Sequence, residues 1–383
     1  MNISTVKHCV GCMACADRCP KSCIHSCEDT LGHRYPIVNA TQCIDCGACL
    51  KVCPTENPPL LHEPLKVVAT WRTDERLREQ SSSGGIASAL AEEMIAYGGT
   101  VYGCAFVPPF SFQHIRCTTK GELYNLRGSK YVQSDTNGIF RQIHNDLKAG
   151  REVLFIGTPC QTAAIRNYFP NDTHLFIVDL ICHGVPSQRL LRESLPNDFT
   201  SLHVDHVEFR ASTKFHFSAK NGISTVYSRP LNKDLYMKGF FTALFYRNSC
   251  YSCKFAQTAR VGDLTLGDFW GVSLPEHTNE ESKGISLCMI NTESGKKLLK
   301  RISTNIKQFE RPLSEAVTGN KQLSHPMPRT FRVRLFQWLY PKFGFHWGVR
   351  CAIPEIILKN RLVDILKGKS IKYITKVSHP LKH

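Results

Sequence analysis

Residues 9–20 read CVGCMACADRCP, and residues 43–54 read CIDCGACLKVCP. The two stretches share one layout, in which four cysteines are separated by two, two and three residues and a proline follows the fourth. Sulfurs three residues apart in a tight loop can reach one compact metal cluster, and small residues such as Gly11 and Gly47 let the backbone wrap around it. This repeat decides the fold of the N-terminal segment.

The spacing is that of bacterial two-cluster ferredoxins, in which each run gives three cysteines to one [4Fe–4S] cluster and its fourth to the other. The predicted ligand sets are Cys9, Cys12, Cys15 and Cys53 for one cluster and Cys43, Cys46, Cys49 and Cys19 for the other. A structural zinc site is the alternative, but zinc needs only four ligands and does not explain two complete runs. Cys23 and Cys27 lie between the runs and are interpreted as loop thiols.

Composition and charge limit the class of protein. The chain has 383 residues, of which 42% are hydrophobic and 21% charged, so it is neither a small disulfide-stapled scaffold nor a disordered chain. It carries 48 Lys+Arg against 32 Asp+Glu, a formal charge of +16. Such a positive charge is compatible with binding to nucleic acid, to a membrane surface or to an acidic protein. The choice among these partners depends on where in the chain the charge lies.

Targeting signals are not evident. The first nine residues contain one lysine and no apolar stretch, so we expect no secretory signal. No run of about 18 apolar residues predicts a membrane span. Eighteen cysteines without an export signal indicate metal or redox chemistry in a reducing compartment, and we expect a cytoplasmic protein.

Proline marks the first domain boundary, because four prolines fall within residues 54–64. The predicted fold class is α+β and α/β: a bacterial-type ferredoxin module, then a mixed α/β domain. The predicted divisions are a ferredoxin domain at 1–60, a proline-rich linker at 61–66, two α/β parts at 67–150 and 151–325, and a basic aromatic tail at 326–383.

The second domain shows an α/β pattern. We predict strands at 67–71 and 100–107 and a helix at 84–97 that ends at Gly98 and Gly99. Ile139, Ile143 and Leu147 mark another helix, which ends at Gly150.

A βαβ unit of about 30 residues follows, with strands at 152–157 and 174–181 around a helix at 161–169. Cys160 and Cys182 follow the two strands, whose carboxyl ends meet at one edge of a parallel sheet. The pair at Cys250 and Cys253 could complete a further metal site. On spacing alone, two buried thiols and a separate zinc or redox pair explain these residues equally well.

Six motifs in order resemble one family. They are residues 80–85 (QSSSGG), 128–134 (GSKYVQS), 157–161 (GTPCQ), 182–184 (CHG), the Cys250–x2–Cys253 pair and 260–270 (RVGDLTLGDFW). The set resembles the family of coenzyme F420 hydrogenase/dehydrogenase beta subunits over about residues 67–309. The resemblance implies a flavin, generally FAD, beside an iron–sulfur cluster. It also implies that Cys160, Cys182, Cys250 and Cys253 are the ligands of a third [4Fe–4S] cluster.

The flavin residues are predicted from two of these motifs. The loop at Ser82, Ser83, Gly84 and Gly85 opens a helix whose free N–H groups could bind a pyrophosphate, although a simple serine cap is the alternative. Ser129, Lys130 and Tyr131 could neutralise a phosphate or a reduced flavin and stack on its ring, or form an exposed loop. Asp263 and Asp268 are interpreted as hydrogen-bonding or turn residues, and no Rossmann glycine fingerprint is present.

The predicted function is electron transfer through cofactors. A flavin takes up hydride and releases single electrons, which clusters carry, so no protein nucleophile is needed and no catalytic residue is assigned. His183 is expected to support its neighbour Cys182. The partners are a redox protein or a hydride-carrying small molecule. The alternative is a polyferredoxin-like electron-transfer protein without substrate turnover of its own.

Much of the positive charge lies at the C-terminus. Residues 331–383 hold 11 Lys+Arg and two acids, interleaved with seven aromatic residues up to Trp347. One interpretation is a helix that docks its aromatic residues on the core, and another is peripheral contact with a membrane surface or an acidic protein. Nucleic acid is disfavoured, because no base-reading module accompanies the charge.

Overall fold

The computed structural model describes residues 2–211 and 214–358. Its N-terminal module contains two short helices and a two-stranded antiparallel sheet: α1 (Ala14–Arg18), β1 (Ile24–Glu28), β2 (Arg34–Val38) and α2 (Ala48–Lys51). Each helix follows a left-handed residue, Met13 or Gly47, which turns the backbone back towards the cysteines. Cys27 lies within β1, paired with Tyr35, so its prediction as a loop thiol is wrong.

Two further sheets follow the module. Their strands are β3 (Lys66–Arg72), β4 (Thr100–Val107), β5 (Ser111–Cys117), β6 (Val153–Gly157), β7 (Leu175–Leu180), β8 (His206–Ala211), β9 (Lys214–Asn221), β10 (Ser224–Pro230), β11 (Leu264–Asp268), β12 (Ser286–Ile290) and β13 (Ile306–Glu310). The large sheet has the order β13-β3-β12-β11-β7-β6-β4-β5, and β8 to β10 form a small antiparallel sheet.

The centre of the large sheet is parallel. Strands β4, β6, β7 and β11 pair in parallel, while β5 on one side and β12, β3 and β13 on the other pair antiparallel. The parallel neighbours β6 and β7 confirm the predicted βαβ unit, and the mixed architecture confirms the predicted fold class. The carboxyl ends of the parallel strands meet at one edge of the sheet, where ligands bind in sheets of this kind.

Helices cover both faces of the sheet. They are α3 (Glu75–Glu79), α4 (Ile86–Ala96), α5 (Ile139–Lys148), α6 (Pro159–Tyr168), α7 (Gln188–Ser194), α8 (Leu235–Phe241), α9 (Thr278–Glu281), α10 (Glu293–Arg301), α11 (Leu313–Gly319) and α12 (Phe331–Ala352). None of the helices among the described residues is long and apolar enough to cross a membrane.

Two helix starts differ from the sequence-based expectation. The helix expected at 84–97 begins at Ile86, because Gly85 adopts φ +82°, a left-handed conformation that a helix interior does not contain. The helix expected at 161–169 begins at Pro159, because the Gln161 side chain accepts a hydrogen bond from the Thr158 N–H (3.0 Å) and caps the turn earlier. Cys160 therefore lies inside the first turn of α6.

The N-terminal module packs directly on the second domain. Cys12, Ala14 and Val52 share one apolar cluster with residues of β4, β6, α5 and α6. Asp17 accepts hydrogen bonds from the N–H groups of Gly138 and Phe140 (3.2 Å each), at the start of α5. These contacts fix the cysteine runs against the α/β domain.

The proline-rich linker is also held in place. His62 and Arg260 exchange two backbone hydrogen bonds of 2.8 Å. This bridge attaches the segment after the ferredoxin module to the loop before β11, so the linker is anchored at its middle rather than only at its ends.

Helix α12 accounts for the first part of the basic aromatic tail. Its buried face carries Val333, Phe336, Tyr340, Phe345 and Val349. These side chains pack on α7, α8 and the surrounding aromatic core. The rest of the tail, residues 359–383, lies outside the described residues.

Candidate functional site

The first predicted cysteine set converges at the base of the N-terminal module. Burial raises the pKa of the Cys12 thiol well above its usual value, and the nearby thiols of Cys15, Cys9 and Cys53 raise this pKa further. Such mutual effects require the four sulfurs to lie within electrostatic reach of one another. The loop geometry therefore brings together the set that spacing proposes.

The second predicted set lines a small separate cavity. Its walls include the four cysteines of the set and also Cys23: Cys19, Cys23, Cys43, Cys46 and Cys49. The Cys23 sulfur lies 3.4 Å from that of Cys19, so Cys23 is a buried thiol beside the site rather than an isolated loop thiol. Cys46 is exposed, which places this set at the surface of the protein.

The third set is assembled from three segments. Cys160 lies in the first turn of α6, Cys182 follows β7, and Cys250 and Cys253 flank the end of a short 3-10 turn, Asn248–Ser252. Burial, together with the nearby thiol of Cys253, raises the pKa of Cys160 to about 11. Burial also raises the pKa of Cys182, and each of the other three thiols adds to that effect.

These raised pKa values bear on the kind of metal group that fits. A thiol must lose its proton to bind metal, so buried thiols need a positively charged group among them. No group of three or more His, Cys, Asp or Glu side chains within 2–211 and 214–358 could hold a single metal ion. A zinc ion holds its thiolates about 2.3 Å from one centre, whereas a cubane cluster binds four thiolates at separate corners, and the four thiols of the third set match the ligand number of a [4Fe–4S] cluster.

A buried ion pair fixes the loop that bears Cys253. Arg260 donates from Nη2 to Asp179 on β7 (2.8 Å) and from Nη1 to the carbonyl oxygen of Phe255 (2.9 Å). Asp179 also accepts from the N–H of Gly262 (2.9 Å). The RVGD motif therefore joins the Cys253 loop to the strand that precedes Cys182, and its first residue supports the site rather than lining it.

Arg247 links the third site to the ferredoxin module. It is 1% exposed, and its guanidinium donates to the carbonyl oxygens of Cys9 (2.8 Å) and Arg34 (2.7 Å). The guanidinium carbon of Arg247 lies over the Tyr35 ring, 4.1 Å from the ring centroid, in a cation–π contact. The Arg247 carbonyl accepts from the N–H of Cys250 (2.9 Å). One residue therefore contacts loops of the first and third cysteine sets, a role that no sequence motif indicated.

A large cavity opens at the carboxyl edge of the parallel strands. Its volume is about 480 Å³, which is within the range of cofactor and ligand sites. Cys160 and Cys182 line one part, and the serine loop before α4 lines another. Six of the seven predicted flavin residues border it: Ser82, Ser83, Gly85, Ser129, Lys130 and Tyr131. Gly84 does not, because it packs against the backbone of Thr70.

The serine loop leaves the start of α4 open. No side chain within the described chain caps this helix, so the predicted alternative of a serine cap is not found. Ser81 and Ser88 donate to carbonyl groups instead, those of Leu77 (3.0 Å) and Gly85 (2.8 Å). The Ser83 hydroxyl is buried and has no hydrogen-bond partner among the described residues, which is unusual for a buried polar group.

The two predicted flavin motifs contact each other. The Ser129 N–H donates to the Ser82 hydroxyl (2.8 Å), which joins the two loops. Lys130 donates to the carbonyl oxygens of Asn125 (3.1 Å) and Arg127 (2.6 Å). An ammonium group has three donors, so one is left for a ligand. Burial lowers the pKa of Lys130 to about 8.

Tyr131 belongs to an aromatic wall. Its ring lies 4.7 Å from that of Phe240, and Phe215, Phe241 and Trp270 continue the lining. Next to this wall Asp268 forms an ion pair with Arg210.

Asp263 has a structural position away from the cavity. It accepts from the N–H of Ile177 (2.8 Å) and from the hydroxyl of Thr292 (2.8 Å). These bonds agree with the interpretation of Asp263 as a hydrogen-bonding residue.

A buried polar chain lines the cavity, and its histidine, His114, was not singled out in the sequence. Gln161 donates to the Ser134 hydroxyl (3.0 Å), which is 2.8 Å from Nδ1 of His114, while Nε2 of His114 is 3.0 Å from the carbonyl of Ile156. A carbonyl can only accept, so the proton lies on Nε2 and Nδ1 accepts. Burial lowers the pKa of His114 to about 4, which keeps the ring neutral.

Two further side chains complete the lining near the third set. His183, which follows Cys182 in the sequence, borders the cavity, and so does Cys104 on β4. Of the other unassigned thiols, Cys117 and Cys288 are buried in the core and Cys351 is exposed.

Comparison with known proteins finds relatives of both parts of the chain. A subunit of the F(420)H(2) dehydrogenase of Methanosarcina mazei is 22% identical over 312 residues, covering 80% of this chain and 83% of that protein. A ferredoxin of Streptomyces griseus is 42% identical over 43 residues, 11% of this chain and 36% of that protein. A chain of the F420-reducing [NiFe] hydrogenase complex from Methanosarcina barkeri, solved as a xenon derivative, has 18% identity and a TM-score of 0.47, covering 80% of this chain and 94% of its own.

Three family models match consecutive parts of the chain. The 4Fe–4S binding domain matches residues 36–57. The N-terminal part of the coenzyme F420 hydrogenase/dehydrogenase beta subunit matches residues 67–141, and its C-terminal part matches residues 150–315. The last two together span most of the α/β domain, including the motifs around the cavity. The chain therefore belongs to the family of coenzyme F420 hydrogenase/dehydrogenase beta subunits and carries a 4Fe–4S binding domain ahead of the region that defines it.

Proposed function

We propose that the chain is a flavin-dependent iron–sulfur oxidoreductase. It passes electrons between a hydride carrier or organic substrate, FAD and [4Fe–4S] clusters. The observation that carries the proposal is the cavity of about 480 Å³, which borders the open start of α4 at one part and Cys160 and Cys182 at another. A two-electron cofactor in this cavity would lie against a one-electron cofactor.

The residues around the cavity fit a flavin nucleotide. The free N–H groups at the start of α4 and the unpartnered Ser83 hydroxyl suit a pyrophosphate. Lys130 supplies positive charge, and Tyr131 offers a ring for stacking. When bound, FAD would supply the exchange between hydride and single electrons.

The cysteines fit three clusters. The two N-terminal sets would hold one [4Fe–4S] cluster each, and Cys160, Cys182, Cys250 and Cys253 would hold the third. The chain's own task is to hold these groups in order. Arg260 and Asp179 keep the Cys253 loop in place, and Arg247 keeps the Cys9 loop beside the Cys250 loop.

The exposure of the cysteine sets indicates where a partner protein would exchange electrons with the chain. The second cysteine set is the most exposed of the three, because Cys46 lies at the surface. A redox partner protein would therefore exchange electrons there, while the hydride carrier enters the cavity. The relative from Methanosarcina mazei is one component of a dehydrogenase with several, which is compatible with such a protein partner.

The alternative is a polyferredoxin-like protein that carries electrons without substrate turnover. Such a protein needs clusters but no ligand cavity. The open helix start, the buried Ser83 hydroxyl and the aromatic wall favour the flavin enzyme, because each of them is costly or unnecessary unless a ligand binds.

Single-turnover reduction tests the proposal. The anaerobically purified protein is mixed separately with reduced coenzyme F420, NADH and NADPH, and absorbance is followed at flavin and cluster wavelengths. We expect one donor to bleach the flavin first and the clusters afterwards. Clusters that can be reduced chemically, in a protein that binds no flavin after reconstitution, would support the polyferredoxin alternative and contradict the enzyme.

A further inference from the structure

Helix α12 presents a second face that the proposed electron transfer does not use. From Phe331 to Lys342 its outward residues are Phe331, Arg334, Trp338 and Lys342, at intervals of three, four and four. These intervals follow the helical repeat, so the four side chains form one stripe in which aromatic residues and cations alternate. Phe343 is exposed just before Gly344 (φ +74°), which breaks the helix, and the segment after the break presents Trp347 and Arg350.

The aromatic side chains of this face are exposed to an unusual degree. The exposed fractions are 71% for Phe331, 57% for Trp338, 57% for Phe343 and 64% for Trp347. Large aromatic rings seldom stay this exposed in a row, and such patches mark interaction surfaces. The opposite face is fully packed, because Val333, Phe336 and Val349 are buried in the core. The helix is therefore firmly attached while its outer face has no partner within the described chain.

The charge of the face has one sign. No ion pair among the described residues includes Arg334, Lys342 or Arg350. Glu355 is the only acid in residues 331–358, and it pairs with Arg332 (2.9 Å). By sequence, residues 359–383 add seven Lys+Arg and one acid. Residues 331–383 therefore carry a net positive charge, which would attract a negatively charged partner surface.

The arrangement of the rings favours a lipid surface over a protein. Protein partners place their strongest anchors in one central cluster, whereas interfacial helices insert separate aromatic side chains between headgroups. None of the ring pairs found among the described residues joins Trp338, Phe343 and Trp347 to one another. Lys342 lies over the Trp338 ring, with Nζ 3.7 Å from the centroid, so cation and aromatic body project together. Tryptophan and basic residues are the pair that membrane interfaces select.

We propose that the outer face of α12 docks the protein peripherally on an anionic phospholipid surface. Trp338, Phe343 and Trp347 would insert at headgroup level, and Arg334, Lys342 and Arg350 would contact lipid phosphates. The buried face of the same helix packs through Val333 beside Tyr251 and Cys250, so the docked surface lies behind the third cysteine set. This inference does not depend on the flavin.

Vesicle flotation with the full-length holoprotein tests it. The probes are vesicles of pure phosphatidylcholine and vesicles with about one-third phosphatidylglycerol. We expect binding to the anionic vesicles only, and weaker binding at high salt because the Debye length shortens. Replacing Arg334 and Lys342 by alanine is expected to lower the affinity by more than about tenfold, given the known effect of single basic residues near such surfaces. Trp338→Ala with Trp347→Ala should lower it at least as much.

Matched controls separate docking from folding and from general charge. Lys120 and Lys148 are exposed lysines elsewhere, and Tyr97 is an exposed aromatic residue, so Lys120→Ala with Lys148→Ala and Tyr97→Ala should leave binding unchanged. Iron content and flavin absorbance should be equal in all variants. The proposal would be overturned if the protein bound neutral and anionic vesicles equally, or if the control variants lost as much vesicle binding as the α12 variants. It would also be overturned if the protein bound no vesicles but bound an acidic protein saturably.

Discussion

The second N-terminal cysteine set and the third set illustrate two ways to build one kind of site. Cys43, Cys46 and Cys49 lie within seven residues of one loop, and Cys46 is exposed. Cys160 and Cys182 follow two neighbouring parallel strands, β6 and β7, and line the cavity, while Cys250 and Cys253 come from a distant loop. The second N-terminal set depends on local backbone geometry, whereas the third set depends on the tertiary fold. Disturbing the fold should therefore damage the third set and spare the first two.

The largest expected effect follows from removing a ligand of the third set. Cys182→Ser should lower the iron content from about twelve to about eight atoms per chain, because one [4Fe–4S] cluster is lost. Electron transfer from a hydride donor to an external one-electron acceptor should fall more than about 100-fold. Iron assay, electron paramagnetic resonance and stopped-flow absorbance measure these changes.

Cys104→Ser is the matched control, since Cys104 also lines the cavity but belongs to none of the three sets. It should keep its iron and its transfer rate. Loss of iron in this variant, or full iron in Cys182→Ser, would refute the assignment of the third set.

The next effect concerns the ion pair that holds the third set. Asp179→Asn leaves Arg260 buried without its counter-charge, which costs about 3–5 kcal/mol for pairs of this kind. We expect a lower urea midpoint and loss of the third cluster, while the signals of the N-terminal clusters persist. Glu310→Gln removes an exposed ion pair with Lys66 and should cost about 1 kcal/mol or less. Equal destabilisation by both changes would show that the buried pair has no special role.

Arg247 tests the connection between the two kinds of site. Arg247→Met removes the hydrogen bonds to the Cys9 and Arg34 carbonyls but leaves all twelve cysteines in place. We expect unchanged iron and flavin content, normal flavin reduction and roughly tenfold slower reduction of the N-terminal clusters, because the loops are less firmly apposed. Arg189→Met, which breaks an exposed contact with Glu28 of the same module, should leave that rate unchanged. Equal rates in wild type and Arg247→Met would contradict this role.

The smallest effect is a pH dependence of flavin binding. Burial lowers the pKa of Lys130 to about 8, so the group is charged below that pH and loses its charge above it. A bound anion favours the charged form, so affinity for FAD should be highest below pH 8 and should fall at higher pH by at most about tenfold per unit. Lys130→Met should bind more weakly at pH 7 and show no such step, while the exposed Lys120→Met retains it. A step of equal size in Lys130→Met would assign it to another group.

The sequence predicted the parts of this protein that are local. The spacing of Cys9 to Cys19 predicts a cluster loop by itself, and the apolar runs predicted β4, β6 and β7 to within a residue or so. It could not decide whether Cys250 and Cys253 lie beside Cys160, because nothing local relates those segments: spacing left a shared metal site and separate thiols equally open, and the family resemblance favoured the shared site. Arg247 and His114 carried no pattern, since each acquires its role from partners that are remote in sequence.

The iron and flavin content of the anaerobically purified, reconstituted protein tests the central claim most directly. The account predicts about twelve iron atoms and one flavin per chain, that is, three [4Fe–4S] clusters and an occupied cavity. About eight iron atoms would show that Cys160, Cys182, Cys250 and Cys253 hold no cluster, and a protein that binds no flavin would show that the cavity serves another ligand.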